Sequence, residues 1–157
     1  IYYDFPAKGA RPAVKLTWYD GNLTPPKPVE MVDEELNRAG GVLYVGTKGK
    51  LLHDTYGFNP RLLPKSLHEA VGRPKETYER IKTSHEMNWV KAIKGEAKPS
   101  SPIEYAAQLT ETMLLGIVAL RTGQGRKILY DGENMRVTNI PEANQYLTRE
   151  YRAGWSV

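Results

Sequence analysis

Cysteine is absent from the 157 residues, which excludes disulfides, thiolate nucleophiles and thiolate metal ligands. It does not assign a compartment, because cytosolic and exported proteins can both lack it. Histidine occurs only at His53, His68 and His85, and none has a second histidine three or four residues away. A metal site would have to be assembled from distant parts of the chain. No G-x-G-x-x-G follows a strand-like run, so the dinucleotide fingerprint is missing. G-x-S-x-G is missing too, and Ser66, Ser84, Ser100, Ser101 and Ser156 have no nucleophile context. No apolar run approaches the ~20 residues that span a bilayer. The longest, around Met113 to Leu120, reads as a buried helix. No signal-peptide pattern opens the chain. No block of five like charges occurs. The 22 basic and 18 acidic residues are interspersed, for a net charge of +4. Nucleic-acid binding calls for a clustered footprint, so neither a nucleic-acid nor a membrane partner is expected.

The residues that are present suit one domain of about this length. Residues 1–5 alternate as a strand, with Ile1, Tyr3 and Phe5 on one face. Residues 13–19 form a second, in which Val14, Leu16 and Trp18 share one face and Lys15, Thr17 and Tyr19 the other. A polar stretch from Asp20 to Gly40, with Pro25, Pro26 and Pro28, reads as a surface excursion. Within it Glu34-Glu35 reads as solvated charge. "GVLYVG" (41–46), "TKG" and "KLLHDTY" (50–56) read as a hairpin. Thr83 with Glu86 makes a capping box ahead of Met87, Val90 and Ile93, and Gly95 sits where that helix would end. Ser101, Pro102 and Glu104 open a second helix that runs to about Arg121. Its half "MLLGIVAL" is apolar on nearly every side and is expected to be buried between layers. "KILYDG" is a short strand. Asn139 with Glu142 caps a third helix to about Tyr151, and the tail brings Trp155 back onto the body. Strands early and helices late predict an α+β fold: an open, largely antiparallel β-sheet with helices packed on one face.

The candidate chemistry is sparse. "GTKGK" (46–50) reads as a hairpin turn rather than a phosphate loop, because Lys50 continues into a strand. "TGQGRK" (122–127) is a helix stop with a basic connection. His53 and Asp54 are strand neighbours that face opposite ways and form no dyad. His85 sits at a helix start, where the helix N-terminus opposes a cationic ring. A neutral imidazole there suits a substrate hydroxyl. Arg61, after Asn59-Pro60, either clamps an anion or makes a salt bridge or carbonyl contact. Trp18, Tyr19 and Trp89 are the aromatic candidates for a substrate cleft. With Arg61 and His85 they complete the substrate-binding set. No catalytic, cofactor-binding or metal-ligating residue is assigned.

"YDFPAKGARPAVKLTWYDG", "GGVLYVGTKGKLL", "YGFNPRLLP", "LTETMLLGIVALRTG" and "YDGENMRVTNIPEANQYLTREYRAGW" together resemble the C-terminal domain of the bacterial Gfo/Idh/MocA-like oxidoreductases, over nearly the whole chain and in the same order. The resemblance implies that residues 1–157 are a substrate and oligomerisation domain. It implies a partner Rossmann domain that binds NAD or NADP, a sugar or polyol substrate, and homo-oligomeric assembly. The family's catalytic lysine lies in an E-K-P motif of the Rossmann domain. "EAKP" (96–99) is a near miss in a loop and is discounted. The family's D-x-x-x-H pair is also missing: Gly49, Pro64 and Ile81 stand four residues before the three histidines. The expectation is therefore a part of a dehydrogenase that alone neither binds NAD or NADP nor turns over substrate. The compartment stays open, because members of such families can be exported. The alternative is a stand-alone, non-catalytic module that binds a carbohydrate or an anionic ligand.

Overall fold

A computed structural model describes residues 1–155. Ser156, one of the five serines above, lies outside the described residues, as does the end of the tail. The chain is α+β, and every strand pairing is antiparallel. The strands are divided among three small sheets rather than joined in one. The chain forms two compact units, one of residues 2–79 and one from Arg80 onward together with Ile1.

The first unit opens with a ribbon of β1 (Tyr2–Phe5) and β2 (Val14–Thr17). Tyr3 lies opposite Leu16 and Phe5 opposite Val14. Alternation therefore gathers these four on one face, where the Tyr3 and Phe5 rings stack 6.1 Å apart. The other face sets Asp4 directly opposite Lys15. β2 stops at Thr17, one residue before Trp18, and all four of its residues are exposed. The expected strand is present but two residues shorter at its C-terminal end.

β3 (Gly41–Gly46), β4 (Gly49–Asp54) and β5 (Arg61–Leu63) make the second sheet. Gly46 pairs with Gly49 across a two-residue turn, so the hairpin forms as the sequence predicts. A helix, α1 (Lys65–Val71), follows β5 and packs beside it. Gly49 is required here. A Cβ at its φ of +151° would lie 2.5 Å from Leu67 Cδ2 and 3.2 Å from the Leu63 carbonyl oxygen. The helix seats in the space that the missing side chain leaves.

Register puts Leu43, Lys50, Leu52, Arg61 and Leu63 on one face of this sheet. The polar excursion lies across that face. Met31 is buried with Leu52 and Leu63, and Leu36 and Leu43 pack around them. On either side of Met31, Glu30 receives both hydrogen bonds of Lys50 at 2.6 Å, and Glu34 receives the Arg61 guanidinium at 2.8–2.9 Å. The Thr55 hydroxyl donates to the Ala39 carbonyl and ties down the far end. The excursion is thus the second layer of the sheet. Glu34 and Glu35 are not merely solvated, because Glu35 pairs with Lys27 at 2.7 Å. Two sheet cations need carboxylates, and the apolar side chain between those carboxylates fixes where they land.

The second unit contains α2 (His85–Ile93), α3 (Ile103–Thr122), a hairpin of β6 (Tyr130–Asp131) and β7 (Arg136–Val137), and a 3₁₀ helix at Pro141–Tyr146. Its core is Val118, Val137, Ile140 and Ala143, with Ile128, Tyr130, Tyr146 and Leu147 around it. Two asparagines hold this region by pairing with backbone as a strand would. Asn144 accepts from Val137 N–H and donates to the Val137 carbonyl, both at 2.9 Å. Asn139 accepts from Leu129 N–H and donates to the Lys127 carbonyl. Asn139 therefore caps no helix, and the expected third helix is one short 3₁₀ segment that ends at Tyr146. Ser84, not Thr83, caps α2, accepting from Met87 N–H at 3.2 Å. α3 begins after Pro102 without a side-chain cap. Trp155 is largely exposed, and Arg152 lies over its ring at 4.5 Å instead of the body.

α3 departs most from expectation. Only Gly116, Val118 and Thr122 are buried, while Met113, Leu114, Ile117 and Leu120 are half-exposed or more. The β7–3₁₀ region covers one side of the helix, and the remaining apolar sides stay open. Among the described residues α3 alone is long and apolar enough to cross a membrane. It also carries Glu111, which accepts a hydrogen bond from the Tyr130 hydroxyl at 2.5 Å.

Two measurements check these contacts. Met31→Ala leaves a cavity under the excursion and is expected to cost about 2–4 kcal/mol in denaturant unfolding. A cost within error of zero contradicts the two-layer arrangement. Burial, then the Glu111 carboxylate, pushes the Tyr130 phenol up from 10.0 to about 12. Folding raises this pKa, so the stabilisation is complete below pH 10 and is lost as pH rises through about 12. In a spectrophotometric titration one tyrosinate appears last, and Glu111→Gln moves it down. Phenols that all ionise together near 10 contradict the contact.

Candidate functional site

The five sequence-derived candidates fall in both units. Trp18, Tyr19 and Arg61 belong to the first, His85 and Trp89 to the second. Trp18 and Tyr19 follow the end of β2 and are both partly exposed. The turn after them closes through Leu23 N–H to the Asp20 carbonyl. Trp18 lies one residue past the end of β2, where strand alternation no longer fixes its side.

Arg61 is not available as an anion clamp. Its Nε and NH2 groups contact Glu34, NH1 donates to the Asn59 carbonyl at 3.2 Å, and Asp54 lies 3.8 Å from NH1. The chain's own carboxylates neutralise the guanidinium, so the salt-bridge and carbonyl reading holds. The Glu30 carboxyl is held below its usual range, mainly by the Lys50 ammonium. These ion pairs are partly solvated, and each contributes little net stability. They orient the excursion on the sheet.

A concavity of about 260 Å³ lies on the excursion, lined by Thr24, Pro25, Lys27, Glu35, Leu36 and Arg38. It is smaller than the roughly 300–1,000 Å³ of typical ligand pockets. The Lys27–Glu35 pair occupies its polar wall. Sequence reasoning assigned none of these residues to a site, because they lie in a stretch with neither helical nor strand period.

α2 is the more informative element. Its buried residue is Asn88, only 5% exposed, while Trp89 is 63% and Ile93 67% exposed. Of the apolar residues Met87, Val90 and Ile93, only Val90 is half-buried, and the other two are exposed. The reason is the connection that follows. Asn88 donates to the Lys98 carbonyl and accepts from Ser100 N–H, at 3.1 and 2.8 Å. These two bonds fold the "EAKPS" segment back against the helix and give both polar atoms of the buried amide a partner. With that side of α2 occupied, the bulkier residues turn outward. His85, Trp89 and Ile93 recur at four-residue spacing and share one exposed face. His85 occupies the first helical position, directly after the Ser84 cap. Beside it, the Glu86 carboxyl is held low by its own backbone N–H and then by the Ser84 hydroxyl. An imidazole at a helix start with an indole one turn on can hydrogen-bond a hydroxyl and stack on an apolar ring face. His85 and Trp89 are the two candidates that the fold places on one surface by helical spacing.

Among the described residues no group of three or more histidine, aspartate or glutamate side chains is gathered for a metal ion. No protein-family model, curated protein or solved structure matches the chain.

Proposed function

We propose that this chain is the substrate-contacting and assembly domain of an NAD(P)-dependent sugar or polyol oxidoreductase of the Gfo/Idh/MocA-like class. In this reading hydride transfer belongs to a nicotinamide cofactor held by a Rossmann domain. The cofactor supplies the redox chemistry and this domain supplies orientation. The outward face of α2 carries the proposal. A helix that buries its asparagine and presents His85, Trp89 and Ile93 is suited to being covered by a ligand or a partner. His85 would orient a substrate hydroxyl and Trp89 would stack on the ring. A second support is that the segments resembling the family supply residues of both cores, although Met31 of the first lies outside them. "GGVLYVGTKGKLL" and "YGFNPRLLP" supply Leu52 and Leu63, and the α3 and "RVTNIPEANQYL" segments supply Val118, Val137, Ile140 and Ala143. A third is the quantity of exposed apolar surface, including Leu114, Ile117 and Leu120 of α3 and Val42, Tyr44 and Val45 of β3. Surfaces of this kind mark interaction sites, and we assign them to homo-oligomer and interdomain contacts.

Tryptophan fluorescence tests the α2 assignment. The chain has three tryptophans. A Trp18→Phe/Trp155→Phe variant leaves Trp89 as the reporter, to be titrated with a panel of sugars and polyols and with NADH. Saturable quenching by at least one sugar or polyol is expected, with no response to NADH from the chain alone. In calorimetry on an otherwise unaltered chain, Trp89→Ala is expected to weaken that ligand at least tenfold, about 1.4 kcal/mol. Binding of NADH by the chain alone, or sugar binding indifferent to Trp89, contradicts the proposal.

A further inference from the structure

The chain contains two Asp-Gly pairs, Asp20-Gly21 and Asp131-Gly132, and the fold treats them oppositely. In the first, Gly21 N–H donates to Asp20 Oδ1 at 2.7 Å, so the side-chain carboxyl rests on the next residue's amide. Asp20, Gly21 and Asn22 are all exposed. Gly21 and Asn22 both have positive φ, +62° and +67°. No atom lies within 4 Å of the place a Gly21 Cβ would take. In the second pair the carboxylate is engaged by residues beyond its glycine. Asp131 Oδ1 accepts from Glu133 and Asn134 N–H at 3.2 Å, and Oδ2 accepts from Asn134 Nδ2 at 2.8 Å. Arg136 stands 3.9 Å from Oδ2, and Asp131 is fixed in a strand pair with Arg136.

We propose that Asp20 is a site of spontaneous conversion to isoaspartate, through a succinimide with Gly21, and that Asp131 is protected from the same reaction. The Gly21 amide nitrogen attacks Cγ of the protonated Asp20 side chain. An N–Cγ bond forms, the Cγ–OH bond breaks, and the amide proton leaves with the hydroxyl as water. Water then opens the imide at either carbonyl. One opening restores aspartate. The other routes the main chain through the side-chain carbon and leaves the former main-chain carbonyl as a free carboxylate. No redox partner is needed. The carbonyl that becomes the free carboxylate is the one that accepts from Leu23 N–H at 3.1 Å, and conversion also inserts the side-chain methylene into the main chain, so it remodels the turn beside Trp18 and Tyr19. The product, an exposed isoaspartyl α-carboxylate, is the substrate class of S-adenosylmethionine-dependent carboxyl methyltransferases that repair such linkages.

The experiment ages the whole chain at pH 5 and 37 °C. Isoaspartate at positions 20 and 131 is then quantified by peptide mapping with electron-transfer fragmentation, and by methyl transfer from an isoaspartyl methyltransferase. A parallel sample is aged in denaturing urea. In the folded chain isoaspartate is expected at position 20 in at least several-fold excess over position 131. That excess is expected to shrink in urea, because only the fold separates the two sites. Equal conversion at the two positions in the folded chain overturns the proposal, as does an excess that urea leaves unchanged. Asp20→Glu is expected to abolish the signal at position 20, and a signal that persists there also overturns it.

Discussion

Met31 sets the geometry of the first unit. It is the only large apolar side chain of the excursion that is fully buried, and it lands between Leu52 of β4 and Leu63 of β5. A three-stranded sheet with one face bare would expose Leu43, Leu52 and Leu63 to water. Apolar burial is worth roughly 25 cal/mol per Å², so covering that face supplies the drive for a segment with little secondary structure to settle there. Once Met31 is seated, chain connectivity delivers Glu30 to Lys50 and Glu34 to Arg61. The electrostatic pairs follow from the apolar anchor rather than the reverse, because partly solvated pairs cannot position a loop by themselves.

The second unit meets a related problem with amide side chains. Asn88, Asn139 and Asn144 each serve a backbone donor and a backbone acceptor. An amide has the same donor and acceptor pair as a peptide group, so each asparagine acts as a one-residue strand partner for a connection that has none. At Asn88 this has a functional consequence. The side of α2 that would ordinarily pack apolar residues holds a loop instead, and His85 and Trp89 are left facing outward.

Much of the fold was legible in the sequence where period and turn chemistry agree. The hairpin 41–54 followed from glycines at both ends of its turn and from apolar strands. The α+β class followed from the order of the elements. α3 was visible in its extent but not in its burial, because an all-round apolar helix signals that it is covered without saying whether this chain supplies the cover. The two-layer role of residues 28–36 was not legible, since one methionine in a polar stretch has no period. Its signal was complementarity: Glu-Met-x-x-Glu against cation-x-Leu in both β4 and β5. The asparagine roles were hidden for a similar reason. Capping statistics assign Asn139 to a helix start, while its real partners lie ten and twelve residues upstream. Of the candidate site, the residues at α2 were found by type. Arg61 was found but is consumed internally, and Trp18 lies just past the end of β2.

The functional account depends on the exposed apolar surfaces being contact surfaces. They include Leu114, Ile117 and Leu120 of α3, Val42, Tyr44 and Val45 of β3, and Trp89 and Ile93 of α2. Multi-angle light scattering over a wide concentration range tests this most directly, comparing the unaltered chain with an Ile117→Glu/Leu120→Glu variant of the open side of α3. The account predicts that the unaltered chain self-associates as concentration rises and that the variant does so less while keeping its circular dichroism spectrum. A clean monomer across the whole range would contradict it.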